Sequence, residues 1–267
     1  MLLPSRRLFL FVAAGALTLG TACRDDTVRL SYQPPPGNSY SYRVEVEANA
    51  VAKVGDEAPR RTQITNVFDA QQSVLDAGPS GTRVQVRLSE VGGLPRSFVV
   101  RLDRAAQLVE VQSIEGLPSS ALGGLGLSEI FPAAAGAPPD RPLAPGSRWV
   151  IDEPVQLASP ETSRLNGQGR LAKLGVMDGR EVATVVSNYR LPVKRTAQER
   201  RSTLELSGSQ DTNASTTYDL LDGSVVAVEA RTHGTYALML LPPEGTPGTP
   251  IPGTLTVEVR STTRLVD

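Results

Sequence analysis

Tyr40-Ser41-Tyr42-Arg43-Val44-Glu45-Val46-Glu47 sets a large apolar side chain at every second position and a polar or charged one between. In an extended chain this period puts Tyr40, Tyr42, Val44 and Val46 on one face and Ser41, Arg43, Glu45 and Glu47 on the other. It predicts an antiparallel strand with one face buried and one in water.

The same signal recurs on both sides of this stretch. It predicts strands in Gln63 to Leu75, over Val84, Val86 and Leu88, in Phe98 to Leu102, and in Leu108 to Val111. Further on it predicts strands from Arg148, over Gly169 to Gly175, Glu181 to Arg190, Ser202 to Ser207, Thr216 to Leu221, Ser224 to Thr232 and Thr235 to Leu241, and through Leu255, Val257 and Val259. Asp178-Gly179 and Asp222-Gly223 lie between such runs and read as type I′ hairpin turns, whose two central residues both need positive φ. Lys194 to Arg201, Thr232 to Thr235 and Pro242 to Gly253 read as loops or turns. The expected class is therefore mainly β, with curved antiparallel sheets arranged as a half-barrel or as a sandwich.

Two similar β-rich halves are expected, 38–113 and 146–267, because three pairs of segments match in order. Pro36-Gly37 ahead of Tyr40 matches Pro145-Gly146 ahead of Trp149, and Gly81-Thr82-Arg83-Val84 matches Gly179-Arg180-Glu181-Val182. The runs Phe98 to Val111 and Thr217 to Val228 match as well. Between the halves, 114–145 is a connector rich in Gly, Ala and Pro. Its apolar residues Leu117, Leu122, Leu125, Leu127, Ile130 and Phe131 predict one short helix that would cover a ligand cavity.

Leu2 to Cys23 has a different character. Arg6 and Arg7 precede an uncharged, mostly apolar run of about 15 residues, short of the roughly 20 that span a bilayer as a helix. Small residues follow it, so 1–22 reads as a cleavable export signal, helical in its apolar part. The segment 23–37 then reads as a tether that carries one short strand over Val28 to Tyr32 and ends in Pro34-Pro35-Pro36-Gly37, an extended, donor-poor run.

Leu19-Gly20-Thr21-Ala22-Cys23 resembles a bacterial lipobox. The resemblance implies that Leu19 and Ala22 help direct cleavage and that Cys23 becomes the N-terminus, carrying diacylglycerol on sulfur and a palmitate-type chain on nitrogen. Gly20 departs from the large apolar residue most often found there, and the alternative is a plain secretory signal with Cys23 a free thiol. Ser5-Arg6-Arg7-Leu8-Phe9-Leu10-Phe11 resembles the twin-arginine export signal, with Phe11 in place of its lysine; a simple positive n-region is the other reading. The whole layout is similar to that of uncharacterised bacterial predicted lipoproteins, and more distantly to the lipoprotein-carrier-like half-barrels that hold acyl chains on a concave sheet.

Composition narrows the chemistry. The full chain has 27 basic and 28 acidic residues, and loss of Arg6 and Arg7 leaves a net charge near −3 with no basic stripe, so nucleic acid is not an expected partner. Cys23 is the only cysteine and His233 the only histidine, which cannot supply a zinc site, and no Gly-x-Ser-x-Gly elbow accompanies His233. No catalytic residue, metal or cofactor is expected. The expectation is a non-enzymatic, exported lipoprotein held at the cell membrane or outer membrane by Cys23 and facing the periplasm or exterior. Its expected partner is a lipid or other hydrophobic ligand; the alternative is an interaction module with a filled core that meets an envelope protein.

Overall fold

The computed structural model describes residues 27–90, 95–104, 106, 108–114, 138–156, 162–199, 202–242 and 247–266. They form eleven strands: β1 (Ser39–Val54), β2 (Arg60–Gly78), β3 (Gly81–Glu90), β4 (Arg96–Leu102), β5 (Leu108–Ile114), β6 (Arg148–Gln156), β7 (Thr162–Met177), β8 (Arg180–Glu199), β9 (Ser202–Asp219), β10 (Val225–Leu241) and β11 (Ile251–Val266). All belong to one antiparallel sheet in the order β5-β4-β3-β2-β1-β11-β10-β9-β8-β7-β6. Among the described residues the sheet is open, with β5 and β6 at its edges, so the half-barrel expectation holds and the two-sheet sandwich does not. The helix expected in the connector and the signal helix fall outside the described residues.

The halves meet at β1 and β11, which pair from Ser41↔Val266 to Val54↔Gly253. The turns ahead of β1 and β6 share their hydrogen bonds. Gly37 at φ +88° donates its N–H to Val74 O at 2.9 Å, and Gly146 at φ +92° donates to Leu171 O at 2.7 Å. Val74 N–H returns to Asn38 O at 2.8 Å and Leu171 N–H to Ser147 O at 3.0 Å. A bulge follows each acceptor, between Val74 and Asp76 in β2 and between Leu171 and Lys173 in β7. β1 and β6 thus begin with the same turn locked to the same bulge of the next strand.

Several strands run longer than the periodicity suggests. β8 continues to Glu199, through most of the loop expected at Lys194 to Arg201, and β9 is unbroken across Gly208 to Ser215. β10 passes straight through the turn expected at Thr232 to Thr235. In each case neighbouring strands supply hydrogen-bond partners, so the ladder overrides weak local propensity. Of the two Asp-Gly turns, Asp178 (φ +49°) and Gly179 (φ +77°) form the type I′ hairpin, whereas at the second only Gly223 has positive φ. Asp222 is instead recruited as a hydrogen-bond acceptor, its Oδ1 taking Ser224 N–H at 2.8 Å.

One end of the sheet is filled. Tyr40, Tyr42, Val44, Val84, Val86, Phe98, Val100 and Leu102 form one core cluster, and Leu143, Leu171, Ala183 and Val185 a second. The segment read as a tether completes both: Leu30, Tyr32 and Pro34 are buried. Val28 pairs with Leu143 beside β6, Gln33 N–H donates to Asp222 O at 2.8 Å, and Tyr32 N–H donates to Arg104 O beside β5. Residues 28–34 therefore form a strap that crosses the filled end and links structure near both sheet edges.

Candidate functional site

The inner face of the sheet can be followed strand by strand because paired residues share a face. In β1 the even-numbered residues turn inward: Tyr40, Tyr42 and Val44 are buried, and Val46, Ala48, Ala50, Ala52 and Val54 are only half-buried. Register carries these positions across the sheet. The row through Ala48 comprises Ile64, Ala48, Val259, Thr232, Thr212, Tyr189, Gly167 and Ile151. The row through Val46 reads Asn66, Val46, Ser261, Ala230, Ala214, Ser187, Gly169 and Trp149. The row through Ala50 reads Thr62, Ala50, Val257, Gly234, Gln210 and Leu191. None of the three contains a charged side chain.

Two polar contacts lie on or beside these rows, while the buried Trp149 Nε1 has no protein partner among the described residues. Thr212 and Thr232 hydroxyls lie 2.8 Å apart, and Tyr236 Oη donates to Gln210 Oε1 at 3.2 Å. Glycine lets the large aromatics lie flat: a Cβ at Gly169 would run into the Trp149 indole, and one at Gly234 would meet the Tyr236 ring and hydroxyl. The result is a band, the trough, of mostly small apolar and hydroxyl side chains across β1, β11, β10 and β9, bounded toward β6 by a third packed cluster of Ile151, Leu165 and Leu191.

Tyrosines close the filled end of this trough. Tyr40 Oη donates to Asp222 Oδ2 at 2.5 Å, and burial, reinforced by that bond, pushes the Tyr40 hydroxyl up to about 12. Burial raises Tyr32 and Tyr42 further still, and it raises Tyr218 to about 12. All four stay protonated and neutral across the physiological range. Tyr32 Oη and Ser224 Oγ are buried there with no protein partner among the described residues, a setting that ordinarily holds water.

The outer face is the opposite in character. The row behind Glu47 brings Arg260 and Arg231 into line, and the next carries Glu258, His233, Asp211, Arg190 and, through Asn166, Asp152. Arg190 grips Asp211 through two bonds of 2.7 and 3.0 Å, which holds that carboxyl below its usual range, and Arg164 pairs with Asp152 at 2.9 Å. His233 is exposed on this face, with Nδ1 3.8 Å from Glu258 and Nε2 3.4 Å from the Thr235 hydroxyl. Among the described residues no group of three or more His, Cys, Asp or Glu side chains could hold a metal ion. A charged outer face behind three uncharged inner rows reverses the pattern of a transmembrane barrel, whose outward band is apolar.

Of the residues singled out in the sequence, Cys23, Arg6, Arg7, Leu19 and Ala22 lie outside the described residues, as do Leu117, Leu122, Leu125, Leu127, Ile130 and Phe131. The sequence reading did not foresee the trough of Ala48, Ala50, Val257 and Val259. Its signal was present in the alternation of β1 and β11, but which strands share a row depends on register.

The chain matches no family model and no curated protein sequence. Among solved structures it is similar to OmpTdeltaL8, a loop L8 deletion mutant of OmpT and an outer membrane protein of Vibrio cholerae, at 9% identity over 87% of this chain and 100% of that one. The TM-score is 0.21, too low to bear on fold or function. The class defined by the coordinates is an open, all-β, eleven-stranded meander with a filled end and a small-residue trough.

Proposed function

We propose that the chain is an exported bacterial lipoprotein, anchored by acyl chains on Cys23 to the cell membrane or outer membrane, that binds a lipid or other apolar ligand in its trough without catalysing a reaction. The observation that carries the ligand reading is the set of three uncharged rows through Val46, Ala48 and Ala50. Half-buried alanines and valines there leave apolar surface on the inner face, and a hydrocarbon chain gains free energy by covering such surface. The anchor reading rests on Leu19-Gly20-Thr21-Ala22-Cys23 following a short apolar run.

Growth of the native host with a clickable palmitate analogue tests the anchor. The wild-type protein should take the label and the Cys23→Ala variant should not; equal labelling of both, or of neither, would remove the anchor from the proposal.

A second reading is supported by edge strand β6, where Val150 is 77% exposed on the outer face. An apolar residue on a strand whose second side has no partner strand among the described residues suits an envelope protein that adds a strand of its own.

A further inference from the structure

The filled end carries an apolar surface that neither the trough nor the core uses. Leu221 is 91% exposed at the tip of the β9–β10 turn, and Val176 is 72% exposed with Met177 beside it at the β7–β8 turn. These tips are neighbours: Leu220 N–H donates to Glu181 O at 2.9 Å, Glu181 pairs with Val176, and Arg180 bridges to Asp219 at 3.1 Å. Tight turns ordinarily present polar side chains to water, and the flanking Asp178 and Glu181 do so.

The strap shows what meets this surface. Ser31 runs against Gly223 of the β9–β10 turn, Leu30 packs in the cluster that includes Leu220, and the described chain begins at Thr27 a few residues upstream. Only four residue steps separate Thr27 from Cys23, at most about 14 Å of extended chain. Acyl chains on Cys23 would therefore hold this end of the sheet, and not the opposite one, against the bilayer.

We propose that the paired tips, Val176-Met177 and Leu221, are a lipid-docking surface that enters the headgroup region beside the anchor and points the far end of the trough away from the membrane. This rests on the acyl-anchor reading of Cys23. Interfacial depth suits such tips, because their apolar side chains can enter the acyl boundary while Asp178, Glu181 and Arg180 stay among headgroups and water.

The test uses full-length protein purified from host membranes and reconstituted in vesicles of phosphatidylethanolamine and phosphatidylglycerol. A thiol-reactive NBD dye is placed at Leu221→Cys, at Val176→Cys, or at Ile251→Cys on the opposite end. Lipids bearing a shallow nitroxide should remove most of the fluorescence at the first two positions and leave the third unchanged. Quenching at Ile251→Cys equal to or greater than that at Leu221→Cys would overturn the docking surface. The wild-type chain separates the two ideas: dye uptake by it reveals a free Cys23 thiol and ends the anchor reading, while no uptake together with unquenched tips ends only the docking surface.

Discussion

Tyr40 donates its hydroxyl to Asp222 at 2.5 Å across 182 residues of sequence, joining β1 to the β9–β10 turn. Asp222 also accepts from Ser224 N–H through its second oxygen and from Gln33 N–H through its carbonyl, so one residue fastens both halves and the strap. Tyr40 ionises near 10 when unfolded and near 12 when folded, so above pH 10 the unfolded chain gives up its proton first. Stability from this group is complete below pH 10 and is lost as pH rises from 10 through 12. Urea midpoints measured from about pH 8 to 11.5 should fall at the alkaline end. Tyr40→Phe should lower stability at about pH 8, by about 1–2 kcal/mol, and flatten the alkaline fall; an unchanged alkaline slope would contradict the assignment.

Ser224 offers a contrasting case. Its hydroxyl is fully buried with no protein partner among the described residues, so Ser224→Ala removes a polar atom and breaks no protein bond seen there. The variant should match or exceed wild-type stability, within about 1 kcal/mol. A loss of about 2 kcal/mol or more by calorimetry, roughly the cost of an orphaned buried group, would mean that the hydroxyl holds a structural water.

Two glycines on β7 should behave differently. Alanine at Gly169 drives its methyl into the Trp149 ring, whereas alanine at Gly175 meets open space. Gly169→Ala should cost about 1–3 kcal/mol and red-shift or broaden Trp149 fluorescence as the indole is displaced. Gly175→Ala should stay within about 0.5 kcal/mol of wild type. Equal effects would mean that the ring does not lie over Gly169.

The strap should contribute to the fold as part of its core. Leu143 is fully buried where it pairs with Val28, and Leu143→Ala should cost about 2–5 kcal/mol. Proteolysis should then cut the 27–38 segment in the variant faster than in wild type. Unchanged protection would show that the strap holds without this contact.

The alternation of Tyr40 to Glu47 made the fold class legible, because burial of one face is written at every second residue. Asp178-Gly179 was legible for the same reason: its turn is a local matter of φ. Pro36-Gly37 and Pro145-Gly146 were legible as a matched pair, and their bonds to Val74 and Leu171 show that the two turns share a geometry. Asp222-Gly223 misled because Asp222 is drawn to Tyr40 and Ser224, and the first of these contacts is set by distant sequence. The polar stretch Gly208 to Ser215 hid a strand interior because its ladder partners, on β8 and β10, decide its conformation. Val28 to Tyr32 carried a short strand signal and Pro34 to Pro36 a spacer signal, while the burial of Leu30 and Tyr32 depends on clusters formed elsewhere in the chain.

Native mass spectrometry of the protein purified from host membranes, wild type beside Ala50→Trp, bears most directly on the trough as a ligand site. Wild type should carry a non-covalent adduct of lipid-like mass in addition to any covalent mass on Cys23, and an indole projecting from position 50 should displace that adduct while leaving the covalent mass in place. A wild-type spectrum with no non-covalent adduct, or an adduct that survives Ala50→Trp undiminished, would contradict it.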